Sequence, residues 1–334
     1  MFFTNLDKFD YLSLQRNVYD LSQNYMFVSL LPKYLKKVFL SYINQDAFDA
    51  YQYILNIDDE FVIDPNKAEY TILGAFSYYF KIEDQLNDYI EEMRKNKNKL
   101  LFFYSSDDDR TINFNKKFKL NSNQFIFFRT GGFKTKNSSN VLGIPYIVKD
   151  YFSGNYKDKH LSISYCGWPK NNEFKESVVE YLLDFKYSDF IIRDYWANDE
   201  RDLLGQNSHN SYILGPSEKS KKEFIDNMER NLYGLAIRGA VNNSYRLYEL
   251  FMMGRIPILL NTDCILPFEN EIPYKKNTIF IEDFTDIDGQ IRKFHNEHTE
   301  EELLNIQKEN RQIWLKYFRV DGAYNETKKI LSNY

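Results

Sequence analysis

Apolar residues fall along this chain in short continuous runs, separated by stretches where they recur every three or four positions. The runs at 100–104, 123–129, 161–165, 190–192, 232–237, 256–260 and 278–281 have the length and composition of strands buried on both faces. Between them the period turns helical, at 83–95, 174–185, 221–230, 287–294 and 300–318. The last carries Leu303, Leu304, Ile313, Trp314, Tyr317 and Phe318 as one apolar stripe. Nearer the start, Leu35, Val38, Phe39 and Tyr42 predict a helix, as do residues 47–55, and 61–63 predicts a strand ending at the Asp64-Pro65 turn. A short helix is expected near 326–331. Alternation of buried strand and helix predicts an α/β protein with parallel sheets.

The chain has 334 residues, 43% hydrophobic and 27% charged, which is enough for two α/β domains with proper cores. Glycine, asparagine, lysine and aspartate cluster at 151–159 and read as a linker. The expected division is therefore 1–152, 153–316 and a terminal helix, 317–334, returning to the first domain. A net charge of −5 argues against general attraction to nucleic acid or to an anionic membrane. Cys166 and Cys264 are expected as buried, reduced thiols. Met1-Phe2-Phe3 runs at once into Thr4, Asn5 and Asp7, without a basic or apolar leader, and no stretch has the length of a membrane span. A cytoplasmic location is expected on that ground.

The densest signal lies at 232–260. A short apolar run stops at Arg238-Gly239. Asn242, Asn243 and Ser244 offer N-caps for a helix, and Gly254 suits the position just past its end. Ile256 to Leu260 reads as the next strand, with Pro257 suited to a strand start. A helix N-terminus at the end of a strand presents N–H groups and partial positive charge, which suits a phosphate. Asn242, Arg246, Glu249 and Met253 share one side of this helix, while Leu247, Leu250 and Phe251 share another. Arg238 and Arg246 are thereby candidates to hold an anion, and Glu249 to accept from sugar hydroxyls. The spacing is equally that of a surface ion pair between Arg246 and Glu249, worth a few tenths of a kcal/mol.

Arg238-Gly239, Ser244-x-Arg246, Glu249, Gly254, Ile256-Pro257 and Pro267-Phe268-Glu269 resemble the C-terminal signature of the exostosin-like glycosyltransferases, of GT47 type, over about residues 230–282. The resemblance implies a GT-B fold, two Rossmann-like domains with parallel sheets facing a central cleft. It implies a nucleotide-sugar co-substrate, a UDP-sugar by preference, bound by Arg238, Gly239, Asn243, Ser244, Tyr245, Arg246 and Glu249. Inverting transfer to a glycan or glycoconjugate acceptor follows, with no metal and no further cofactor required. Gly167 fits the family's glycine at a strand end; where many members carry an arginine soon after, this chain has Lys170. A GDP-sugar enzyme resembling the fucosyltransferases, and a non-catalytic glycan- or nucleotide-binding relative, are the alternatives.

Asp107, Asp108 and Asp109 follow the strand at 100–104. They are the candidate catalytic base on an acceptor-side loop, with a metal-binding D-x-D and a solvated turn as the other readings. His295 and His298 are spaced H-x-x-H but lack a third ligand, so they read as helix-end histidines. No P-loop, G-x-G-x-x-G, G-x-S-x-G or H-E-x-x-H occurs.

Overall fold

The computed structural model of the protein describes residues 70–73, 99–104, 125–136, 141–170, 172–193, 218–239 and 241–332. The chain forms two compact units. One comprises 1–147, 263–268 and 320–334; the other comprises 148–262 and 269–319.

The first unit contains a four-stranded parallel sheet in the order β1-β2-β3-β4, with β1 at Tyr70–Leu73, β2 at Lys99–Tyr104, β3 at Phe125–Arg129 and β4 at Val141–Gly143. The segment 263–268 joins this unit through an antiparallel bridge between Phe133 and Cys264. Asp263 holds it there, because its carboxylate accepts from the Thr135 backbone N–H at 3.1 Å and the Thr135 hydroxyl at 2.5 Å. Gly143 lies against this segment. A Cβ on it would stand 2.7 Å from the Leu266 carbonyl oxygen, closer than any side chain tolerates.

The second unit is built on a five-stranded parallel sheet in the order β6-β5-β7-β8-β9. Its strands are β5 (Ile163–Gly167), β6 (Ser188–Ile192), β7 (Tyr233–Ala236), β8 (Ile256–Leu260) and β9 (Ile279–Ile281). Its helices are α1 (Glu173–Leu183), α2 (Glu218–Arg230), α3 (Tyr245–Met252), the single turn α4 (Tyr274–Asn277), α5 (Ile287–Glu297) and α6 (Glu300–Ile313). Ile163, Leu182, Leu235, Ile258, Ile281 and Ile291 meet in one core. Both middle strands, β7 and β8, are buried at every position, which is why they read as unbroken apolar runs. Pro257 sits inside β8, opposite Gly234 of β7. Ile256 N–H points to β7, where it donates to Leu232 O, so the missing N–H of Pro257 falls on the β9 side. Pairing with β9 begins one residue later, at Ile258, and no ladder bond is lost.

α3 is the most buried helix of this unit. Leu247, Tyr248, Leu250, Phe251 and Met252 are all enclosed. Gly234 lets it approach: a Cβ there would stand 2.2 Å from a Leu250 methyl. Its end is a Schellman motif, with Gly254 N–H donating to Phe251 O and Arg255 N–H to Leu250 O. Met253, placed by its spacing on the polar side, is wholly buried, because the helix has ended by then. Arg255 is also fully buried. Its guanidinium donates to the carbonyls of Met228, Glu229, Met253 and Asn155, and burial pulls its pKa down to about 10.

Several element ends differ from expectation. The strand expected at 161–165 lies two residues later, at Ile163–Gly167, and Gly167 is its last residue. The helix expected at 300–318 gives way at Trp314 to a π-helical turn, Trp314–Phe318, closed by Arg319 N–H donating to Trp314 O. The terminal helix α7, Val320–Ser332, starts six residues before the short helix expected there. Thr299 and Glu302 form a capping box at the start of α6. Residues 151–159, read as a linker, lie along the second unit: Tyr151 N–H donates to the Met252 sulfur, and Gln307 bonds the Lys157 backbone at both N–H and C=O. The helix expected at 83–95, and all elements expected before residue 70, lie outside the described residues. Among the described residues, no helix is long and apolar enough to cross a membrane.

Gly254 holds a φ of 58°. Its Cβ position lies 3.0 Å from the Tyr156 ring and 3.2 Å from Gln307 O. Gly254→Ala is expected to lower the free energy of unfolding by about 1–2 kcal/mol, read as a lower urea midpoint at unchanged slope. An unchanged midpoint would mean that the helix end is not held in this geometry.

Candidate functional site

β5 and β7 are neighbours that pair directly, yet the chain leaves them in opposite directions. β5 leads through α1 to β6 on one side, and β7 leads through α3 to β8 on the other. Right-handed crossovers place these two helices on opposite faces of the sheet. The carboxyl edge between their first turns is thus the topological switch point, the crevice at which open α/β sheets bind ligands. α2 crosses to the same face as α3, and its Phe224 lies under Arg246.

The two loops at this edge are joined by asparagines. Asn172 is the N-cap of α1, its Oδ1 accepting from Lys175 N–H, while its Nδ2 donates to Gly239 O at 3.2 Å. Asn242 is fully buried and exchanges two bonds with Thr262, Nδ2 to the carbonyl at 2.8 Å and Oδ1 from the hydroxyl at 2.6 Å. Asn243 turns inward to the Tyr248 hydroxyl at 2.8 Å, and its own carbonyl accepts from Gly239 N–H. Ser244, not either asparagine, is the N-cap of α3, and its side chain makes no capping bond. Among the described residues nothing lies within 4 Å of where a Cβ would stand on Gly239, so the backbone is open there.

Arg246 reaches back from α3 to the end of β5. Its Nη2 donates to Cys166 O at 2.6 Å, its Nε lies 3.5 Å from Glu249 Oε2, and its guanidinium carbon stands 4.1 Å from the centre of the Phe224 ring. Only 11% of its side chain is exposed, and its Nη1 is buried with no hydrogen-bond partner among the described residues. Glu249 keeps 20% of its side chain exposed; burial pushes its carboxyl above the usual carboxylate range, against the pull of Arg246. The ion pair read from the Arg246–Glu249 spacing exists, and it is largely buried rather than on the surface. On the facing helix, Lys175 is half-buried in the first turn of α1. Burial first, and the positive charge of Arg246 second, lower its pKa to about 8.

Of the residues read from the sequence, Arg238, Gly239, Asn243, Ser244, Tyr245, Arg246 and Glu249 all belong to this one loop and helix. Asn243 spends its side chain on Tyr248 and on the Ser244 N–H, a supporting position. Asp107, Asp108 and Asp109 lie outside the described residues. His295 bonds Tyr233 OH and His298 bonds Phe294 O, as helix-end histidines do. Among the described residues no group of three His, Cys, Asp or Glu side chains is placed to hold a metal ion. Cys166 and Cys264 are buried and form no disulfide. Lys170 is exposed. Lys175, Asn172 and the Cys166 carbonyl were not visible from sequence as parts of the site. The Asn172 cap is a local signal, but its bond to Gly239 requires β5 beside β7.

No protein-family model matches the chain. It is similar to a probable glucuronosyltransferase of Oryza sativa subsp. japonica, 29% identical over 89 residues, 27% of this chain and 21% of the relative. It is similar also to probable glucuronosyltransferase 47 A of Physcomitrium patens, 28% identical over 89 residues (27% and 20%), and to a probable beta-1,4-xylosyltransferase of Arabidopsis thaliana, 28% identical over 87 residues (26% and 21%). These are sugar transferases, the class the resemblance implies. The match spans about a fifth of the length of these relatives. Among solved structures, TarM aligns with a TM-score of 0.38 at 10% identity, over 69% of this chain and 54% of that one. A mutant of S. aureus TarM in complex with Fondaparinux, alpha-GlcNAc-glycerol and UDP aligns with a TM-score of 0.37 at 12% identity, over 69% and 55%.

The lowered pKa of Lys175 fixes the sign of one pH effect. Between about pH 8 and the ordinary lysine value of 10.5, the folded chain has released a proton that the unfolded chain still holds. Stability contributed by this group therefore rises with pH across that window. Lys175→Gln is expected to be the more stable protein at pH 7, with an advantage that shrinks by pH 10, read by urea unfolding at both values. A constant difference would mean that Lys175 keeps an ordinary pKa in the fold.

Proposed function

We propose that the protein is a GT-B-type glycosyltransferase that moves a sugar from a UDP-sugar to a glycan or glycoconjugate acceptor with inversion, in polysaccharide or glycoconjugate synthesis. The observation that carries this reading is the crevice between β5 and β7. There Arg246 is held by Cys166 O, with a buried nitrogen unspent, beside the start of α3. A diphosphate supplies the acceptor oxygens and negative charge that this group lacks. The similarity to glucuronosyl- and xylosyltransferases supports sugar transfer as the chemistry.

On this reading the second unit is the donor-side domain, and the first is the acceptor-side domain. Arg238, Gly239, Ser244, Tyr245 and Arg246 surround the donor, and Glu249 orients Arg246 or accepts from the sugar. The acceptor hydroxyl attacks the anomeric carbon in one displacement. Its proton passes to a carboxylate, for which Asp107, Asp108 and Asp109 are proposed, and the bond to the diphosphate oxygen breaks. Negative charge grows on the leaving diphosphate as that bond breaks. A guanidinium already fixed in place stabilises it without reorganisation. Neither a metal nor a cofactor is part of this proposal. A cytoplasmic location is proposed with it. The sequon Asn242-Asn243-Ser244 supports this: Asn242 is buried against Thr262, and a glycan on it does not fit the fold.

Arg246→Ala is expected to lower kcat/KM for the preferred UDP-sugar by about 10²–10³-fold, in a protein that still folds but melts at a lower temperature because Glu249 loses its partner. Full turnover in a folded Arg246→Ala protein would overturn the donor-site assignment. A thermal-shift panel of UDP, GDP, CMP and ADP, each with and without EDTA, checks the donor. The expected result is a UDP shift indifferent to EDTA. A GDP-selective shift would replace the UDP-sugar with a GDP-sugar. A shift lost in EDTA would bring a metal into the site. No shift with any nucleotide would leave a non-catalytic relative.

A further inference from the structure

We propose that Arg255 and Phe224 are positioning residues for Arg246: Arg255 ties the end of α2 to the end of α3, and Phe224 of α2 then holds the guanidinium that grips the diphosphate. The inference rests on the donor-site reading above. It assigns a task to two residues that the sequence signature leaves unassigned.

Arg255 is a fully buried cation that makes no ion pair among the described residues; its guanidinium is met there by backbone carbonyls alone. Nε donates to Met228 O at 3.1 Å and Nη2 to Glu229 O at 2.8 Å, both in the last turn of α2. Nη1 donates to Met253 O at 3.0 Å, directly after α3, and to Asn155 O at 3.1 Å. The carboxyl end of a helix carries partial negative charge and carbonyls without intrahelical donors. Two such ends brought together repel, and a guanidinium between them satisfies both. Burial lowers the pKa of Arg255 to about 10, and the Glu229 carboxylate offsets only part of that, so the charge stays at neutral pH.

Further along the same two helices, Arg246 in the first turn of α3 lies over Phe224 of α2, 4.1 Å from the ring centre. Two arginines of the α3 segment thus join it to α2. Phe224 and Met228 are one helical turn apart on one face, so a tie at Met228 sets the rotation and height of Phe224. α2 is anchored on the sheet as well, because Asn227, Arg230 and Asn231 all bond Asp189 of β6. It is a fixed support, and the guanidinium rests where the ring stands. That matters for the free nitrogen of Arg246. Cys166 O and Glu249 each meet one nitrogen of the fork, and Nη1 has no partner among the described residues. A stacked ring fixes the plane of the fork, and the plane decides where Nη1 points. A fork turned out of that plane keeps its charge but loses the directed bond to a phosphate oxygen.

The test is calorimetric titration of the whole protein with UDP and with uridine. It compares the unchanged chain, Phe224→Leu, Arg255→Met, Arg246→Ala and the two doubles that combine each positioning variant with Arg246→Ala. Phe224→Leu and Arg255→Met should each bind UDP about tenfold more weakly and bind uridine unchanged. Combined with Arg246→Ala, neither should lower UDP affinity further, because the group they position is gone. Should Arg255→Met fail to fold, Arg255→Lys takes its place with the same pattern expected, since it keeps the charge but not the planar fork. UDP binding that needs Arg246 but is unaltered by Phe224→Leu or by the Arg255 variant would overturn this inference and leave the donor site standing. Equal losses for UDP and uridine, or losses that persist in full without Arg246, would overturn it too, because they mark general damage to the fold. Absence of UDP binding by the unchanged chain would overturn both.

Discussion

The arrangement of this site follows from one topological constraint: β5 and β7 lie side by side and pair in parallel, but their chains depart to opposite sides of the sheet. No helix can cover the edge where two diverging crossovers begin. The loops that follow the strands are therefore left beside each other with backbone groups that need partners. Asn172, Asn242 and Asn243 supply them, each with an amide that both donates and accepts. Three polar side chains in a crevice that faces solvent are here structural. They fix the loop positions on which the charged groups depend.

What the asparagines leave open, the cations fill. Arg246 packs its guanidinium between the Phe224 ring and the end of strand β5, and so enters the crevice with little rotational freedom left. Its burial is tolerated because Cys166 O and Glu249 each meet one side of it. Glu249 remains in contact with both solvent and guanidinium, and the rise in its own pKa shows that Arg246 compensates only part of the desolvation. The pair is held together, but not neutralised to the point of being closed to a ligand.

Strands and the α3 unit were legible in the sequence because their signals are local. β7 and β8 are buried on both faces and so appear as runs, and Gly254 marks a helix end through its left-handed φ. Arg246 and Glu249 were legible because three residues on a helix return to one face. The roles of Asn242 and Asn243 were not, since an asparagine before a helix serves equally as cap or as loop clamp. Only the positions of Thr262 and Tyr248 decide. The π-helical turn at Trp314–Phe318 was hidden because its apolar stripe continues that of α6. Lys175 could not be found at all from spacing. It lies 71 positions before Arg246, and their helices start at one sheet edge only because β7 pairs with β5 on the side opposite β6.

That strand order also explains why the two cations differ in kind. An arginine stays charged whatever surrounds it, and its planar fork can bond a carbonyl, a carboxylate and a phosphate together. Arg246 does the first two, and its Nη1 has no partner among the described residues. A lysine has no such second commitment, and its charge yields to a neighbour: Lys175 is lowered by burial and then by Arg246. At neutral pH both groups are therefore still largely cationic, and Glu249 compensates Arg246 alone.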